Sequence, residues 1–198
     1  MNKKQIEIIK QAKEYINSFL KDDSSGHDIF HINRVYKLSL YLAKELNANQ
    51  YIVALSALLH DLDDDKISKG TNRALEFLSK YSVKEKNEIL GIINNMSFRD
   101  HLKGKSVNSI EGKIVQDADR LDALGAIGIA RCFAYSGFTN RPIYQGSQND
   151  NSAIAHFYIK LFKLPDLMNT KPAKLLAKKR VSFMTKFLNE FYKEWNLF

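Results

Sequence analysis

An all-α fold is predicted from three observations. Apolar residues recur at helical spacing along most of the chain, and no alternating strand pattern of useful length occurs. The run Leu55-Ser-Ala-Leu-Leu-His60-Asp61 is apolar on nearly every side of a helix, which burial among other helices would satisfy. With 198 residues, 44% hydrophobic and 26% charged, the chain is long enough for one substantial core. It reads as a single domain over residues 1–198, without repeats or a low-complexity linker.

Taken in order, Ile6, Ile9, Ile16, Phe19 and Leu20 predict a helix over 3–20, which Asp22 to Gly26 interrupts. Ile32, Val35, Leu38, Leu42 and Leu46 predict a second over 28–46, and the apolar run a third over 49–62. Shorter helices are expected from about 72 to 80 and about 84 to 96, with a polar loop over 100–108. Ser109 is placed to cap a long helix carrying Ile114, Val115, Leu121 and Leu124, with Glu111 in its first turn. Gly125 and Gly128 weigh against its running unbroken to Tyr135. Residues 137–151 form the longest loop and the candidate active-site loop. Ser152 caps a helix to Leu164 that Pro165 stops, and Thr170 with Pro172 opens the last helix, whose apolar face carries Leu176, Met184, Phe187, Phe191 and Trp195.

No apolar run reaches the ~18 residues that cross a bilayer, and the basic amino terminus lacks the apolar core of a signal peptide. Cys132 is the only cysteine, so no intramolecular disulfide forms, and the expected compartment is the cytoplasm. The net charge of +8 suits small phosphorylated substrates, and equally a nucleic acid or an anionic surface. The lone run Lys178-Lys179-Arg180 reads as a solvated helix face, so no stable nucleic-acid complex is expected.

Three clusters carry the chemistry. In His27-Asp28-Ile-Phe-His31-Ile-Asn-Arg34-Val35, His27, His31 and Arg34 share one helix face. His60-Asp61 ends the buried helix, with Asp63, Asp64, Asp65 and Lys66 crowded after it. In Gln116-Asp117-Ala-Asp119-Arg120-Leu-Asp122, Asp119 and Asp122 share a face and Asp117 points elsewhere. Buried ionisable groups of this density need a compensating charge, and a divalent metal supplies one. Two imidazoles and two carboxylates from three helices make a mixed nitrogen–oxygen set suited to Mn²⁺, Fe²⁺, Zn²⁺ or Ni²⁺ rather than to the all-oxygen shells of Ca²⁺ or Mg²⁺.

These clusters resemble the HD-domain metal-dependent phosphohydrolases, whose signature is a histidine, a distant His-Asp pair and a later aspartate. The matching positions are His31 within His31-Ile-Asn-Arg34-Val35, His60-Asp61, and Asp119 within Ala118-Asp119-Arg120. Residues 111–131, 156–164 and Met168-Asn-Thr170 are similar to the small bacterial nucleotide pyrophosphohydrolase-like branch, and the likeness covers roughly residues 10–195. It implies a helical bundle around one metal, Mn²⁺ before Ni²⁺, Fe²⁺, Zn²⁺ or Mg²⁺, held by His31, His60, Asp61 and Asp119. It further implies Asp64 as general base, with Lys66 tuning it or holding phosphate, and Asp63 and Asp65 solvated or behind the ligands. His27, Arg34, Arg131, His156, Lys160 and Lys163 are the candidates for the substrate's remaining groups. The expected reaction converts (deoxy)nucleoside triphosphates to monophosphate and pyrophosphate. A 5′-nucleotidase, a phosphodiesterase and a non-catalytic binding module are the alternatives, and a homodimer is compatible with the apolar residues near Phe198.

Overall fold

The computed structural model describes residues 1–20, 28–63, 72–96 and 106–197. Among these residues the chain is entirely helical apart from turns and loops. Its elements are α1 (Lys3–Leu20), α2 (Ile29–Glu45), α3 (Gln50–Leu59), α4 (Arg73–Lys80), α5 (Lys86–Ile93), α6 (Ile110–Asp122), α7 (Gly125–Phe138), α8 (Ala153–Ile159), a 3₁₀ helix (Leu161–Leu167) and α9 (Lys171–Asn196). They divide into two compact units, Met1–Ala118 and Asp119–Phe198. The division falls inside α6, which is one continuous helix and is described with the first unit.

In the first unit α3 is the hub, packed by α1, α2 and α5. Every residue from Tyr51 to Leu59 is buried, which is why the sequence there has no wet face. Its start is fixed by Asn49, whose Oδ1 accepts from the backbone N–H groups of Tyr51 (3.1 Å) and Ile52 (3.4 Å). The Asn49 N–H in turn donates to Glu111 in the first turn of α6 (3.0 Å). Asn49→Ala should therefore cost about 1 kcal/mol, seen as a lower denaturation midpoint with an unchanged denaturant slope. The apolar stripe of α1 is Ile8, Ile9, Ala12 and Ile16, not the one expected through Ile6 and Phe19, which are exposed. Ala12 is small and easily overlooked in a pattern of large residues, yet it is fully buried. Phe19 packs instead beside Tyr15 and under the Arg73 guanidinium.

In the second unit α7 and the 3₁₀ helix pack on α9, and α8 packs on both α7 and the 3₁₀ helix. The long helix expected from Ser109 does break. Ala123 and Leu124 form a turn, and Gly125 takes φ +77°, a left-handed conformation that glycine adopts without penalty. Ser109 caps as expected, its Oγ accepting from the Gly112 N–H (3.1 Å). The irregular stretch between α7 and α8 covers 139–152. Ser152 caps α8 by accepting from Ala155 N–H (3.2 Å), but α8 ends at Ile159 rather than continuing to Leu164. Pro165 lies inside the 3₁₀ helix rather than stopping α8, which the tighter i→i+3 pattern tolerates. Cys132 is buried, its thiol pushed up to about 11, chiefly by burial.

Candidate metal centre

His31 is carried by the first turn of α2 and is completely buried. Asp28 holds that turn. It is the N-cap of α2, and its Oδ1 accepts from the His31 N–H at 2.7 Å. An aspartate three residues before a histidine is the readable trace of this support, and sequence reasoning passed over it. His60 and Asp61 follow directly on α3. The His60 ring is oriented by a 2.9 Å hydrogen bond between Nδ1 and the Ala57 carbonyl. A carbonyl can only accept, so Nδ1 carries the proton and Nε2 presents its lone pair, the orientation usual for a ligating histidine.

Both imidazoles turn Nε2 toward one carboxylate. His31 Nε2 lies 3.3 Å from Asp61 Oδ2, and His60 Nε2 lies 3.3 Å from Asp61 Oδ1. The two rings meet edge to face with centroids 5.4 Å apart. Asp119, in the last turn of α6, completes the group: one ligand atom each from His31, His60 and Asp119 lie within 4.8 Å of one another. Two donors about 2.1 Å from a common ion lie about 3.0–3.4 Å apart when separated by between a right angle and the tetrahedral angle. The two separations between the histidines and Asp61, 3.3 Å each, fit that requirement. The charges fit as well, since two carboxylates with two neutral imidazoles balance a divalent cation and relieve the burial of Asp61. The residues present therefore suit a divalent metal.

Of the neighbouring acids, Asp117 and Asp122 are buried, and Asp119 is the one placed with the histidines. Asp122 pairs with Arg131, whose Nη1 donates to Oδ2 at 2.9 Å. Arg120 Nη1 donates to the Leu167 carbonyl. Asp63 is not simply solvated. Its two oxygens accept from the backbone N–H groups of Arg73 (2.7 Å) and Ala74 (3.1 Å), capping the start of α4 ten residues on. Arg34 is half-buried one turn after His31 on α2. Lys163 is exposed on the 3₁₀ helix, and Lys160 is half-buried at the end of α8. His27, Asp64 and Lys66, with Asp65 and His101, lie outside the described residues.

His156 on α8 is mostly enclosed, and its pKa is lowered to about 4, first by burial and then by the positive charges of Lys160 and Arg141. The unfolded chain binds a proton at this imidazole near pH 6.5, whereas the folded one resists it until about pH 4. Stability from this residue is thus full above pH 6.5 and lost as the pH falls toward 4, by up to about 3 kcal/mol. His156→Gln should flatten that part of the stability-against-pH curve, measured by urea unfolding between pH 4 and 7.

The fold and donor set define a helical metal-dependent hydrolase of the HD class. The HD domain family model matches residues 29–124, which contain all four residues of the centre. The chain belongs to the HD family and is an HD-superfamily hydrolase, by class a metal-dependent phosphohydrolase. Its relatives narrow the group. YpgQ of Bacillus subtilis, described as an uncharacterized protein, is 41% identical over 96% of this chain and 95% of its own. The crystal structure of an HD-superfamily hydrolase from Bacillus thuringiensis superposes with a TM-score of 0.80 at 42% identity, covering 97% of this chain and 98% of that one. Bacillus subtilis YpgQ in complex with ADP superposes with a TM-score of 0.81 at 36% identity, covering 96% of each chain. Among the described residues no helix is long and apolar enough to cross a membrane.

Proposed function

We propose that the protein hydrolyses (deoxy)nucleoside triphosphates to the monophosphate and pyrophosphate, with residues 1–198 acting as one hydrolase domain. The observation that carries the reading is the Asp61 carboxylate lying between the His31 and His60 Nε2 atoms at 3.3 Å from each. A nucleotide is favoured among phosphorylated substrates because a relative of nearly the same length is known in complex with ADP. The positive net charge of the chain supports an anionic substrate.

In this reading His31, His60, Asp61 and Asp119 hold a divalent ion, Mn²⁺ first among the candidates. When bound, the ion lowers the pKa of water and withdraws charge from the phosphoryl group. The Ala57 carbonyl keeps the His60 ring aimed, and the Asp28 cap fixes the backbone turn that carries His31. Asp64, three residues after Asp61, accepts the proton of the attacking water, and Lys66 holds a phosphate oxygen. Arg34, Arg131, His156, Lys160, Lys163 and His27 are assigned to the rest of the substrate, the arginines offering the planar, charge-assisted contacts that phosphates favour. Arg131 donates one N–H to Asp122.

The test is an incubation of metal-stripped protein with nucleoside tri-, di- and monophosphates, with Mn²⁺, Mg²⁺, Ni²⁺ or Zn²⁺ added in turn. Pyrophosphate and orthophosphate are assayed separately. Metal-dependent pyrophosphate release from a triphosphate is the expected result. Orthophosphate from monophosphates would replace this reading with a 5′-nucleotidase, and silence with folded, metal-loaded protein would remove nucleotides as substrates.

A further inference from the structure

We propose that Arg180 of α9 is a positioning residue for the metal centre, because it ties down the last turn of α6, the turn that carries Asp119. The proposal rests on Asp119 being a metal ligand, and not on which phosphorylated substrate is cleaved.

Asp119 stands three residues before the end of α6 at Asp122. The last four carbonyls of a helix have no partner within it, so its final turn is the one most prone to fray. A metal site tolerates little of that, since ligand distances must hold to within about 0.2 Å. No further turn of α6 steadies Asp119, because the helix breaks at Ala123 and Leu124. Across the break the Ala123 N–H donates to the Arg120 carbonyl (3.2 Å) and the Leu124 N–H to the Leu121 carbonyl (3.0 Å).

Three arginines add to these two bonds, and all of them belong to the Asp119–Phe198 unit. Arg120, the residue beside Asp119, donates to the Leu167 carbonyl of the 3₁₀ helix. Arg131 of α7 donates to the Asp122 carboxylate at 2.9 Å. Arg180 differs from both in bonding the backbone of α6 itself: its Nη1 is a second donor to the Leu121 carbonyl. A cation there also meets the negative end of the helix dipole.

Arg180 reaches this carbonyl over Gly125. A Cβ at position 125 would lie 3.1 Å from Arg180 Cγ and 3.3 Å from its Cβ, so the absent side chain leaves room for the arginine stem. Gly125 therefore serves the turn twice, by its φ of +77° and by its lack of bulk. The run Lys178-Lys179-Arg180 is accordingly not a uniform solvated face. Its two lysines are exposed, whereas Arg180 is half-buried. Burial lowers the Arg180 pKa, and the nearby Asp122 carboxylate opposes that shift.

The probe is Mn²⁺, titrated calorimetrically into metal-free wild type, Arg180→Met and Arg180→Lys. Exchange of the Leu124 amide is followed by NMR in the same proteins without metal. Methionine keeps an apolar stem over Gly125 and removes the donors, while lysine keeps a stem and an ammonium donor. Arg180→Met should bind Mn²⁺ about tenfold more weakly. Its Leu124 amide should exchange about tenfold faster, with the amides of α3 unchanged, which shows that the protein is folded. Arg180→Lys should recover part of both losses. A role in packing alone would leave Arg180→Met like the wild type.

Equal Mn²⁺ affinity in wild type and Arg180→Met overturns the positioning role and leaves the metal centre standing. A raised KM for substrate in Arg180→Met with wild-type Mn²⁺ affinity overturns it too, by making Arg180 a substrate contact. Wild-type protein that binds none of Mn²⁺, Ni²⁺ or Zn²⁺ would remove the metal centre, and the role of Arg180 with it.

Discussion

Asp61→Ala is expected to lower metal-dependent hydrolysis by about a thousandfold, on the order of 4 kcal/mol of barrier. The reason is geometric. Asp61 faces both buried imidazoles, one oxygen to each at 3.3 Å, so its loss removes a ligand and the centre's charge balance together. A second readout does not depend on turnover. Added Mn²⁺ should stabilise the wild type by about 2.7 kcal/mol at a hundredfold excess over its dissociation constant. The variant should gain almost nothing. Asp61→Asn keeps the shape of the side chain and removes its charge. It should behave like the alanine variant if charge is what the site needs, and wild-type metal stabilisation in Asp61→Asn would contradict the assignment.

Gly128→Ala should be the most damaging small substitution among the described glycines. A Cβ at position 128 would lie 2.2 Å from the Ala123 carbonyl oxygen and 2.4 Å from its carbon. Both are backbone atoms in the tight turn that separates α6 from α7, so neither can move aside as a side chain would. The cost should exceed the usual range for overpacking, at about 3 kcal/mol or more, or roughly 6–12 °C in melting temperature. Gly91→Ala is the control. It sits in α5 with nothing within 4 Å of an added Cβ, so it should be neutral or slightly stabilising. Equal losses in the two variants would show that the α6–α7 turn is not the constraint described.

The helical class and the hub helix were legible because burial leaves a periodic record. The helix over 49–62 read as buried all round, and its residues 51–59 are. The centre was legible in part, since a histidine and a His-Asp pair can be seen in a sequence and their convergence cannot. Choosing His31 over His27, or Asp119 over Asp117 and Asp122, depended on family likeness. What was hidden shares one property: each interaction joins positions that no local pattern links. Asp63 caps a helix ten residues later. Asp122 finds Arg131 across a helix break. Pro142 and Ile143 accept from the N–H groups of Ala153 and Ile154 at the start of α8. The break at Gly125 was only half legible, because a glycine marks where a helix can end while its φ decides whether it does.

The most direct measurement is anomalous X-ray scattering from crystals grown with Mn²⁺. The account predicts a strong peak bounded by His31 Nε2, His60 Nε2 and the carboxylates of Asp61 and Asp119, and absent from Asp61→Ala crystals grown in the same way. A saturated crystal with no peak there, or with its strongest peak coordinated by other residues, would contradict the assignment of these four residues as the metal centre.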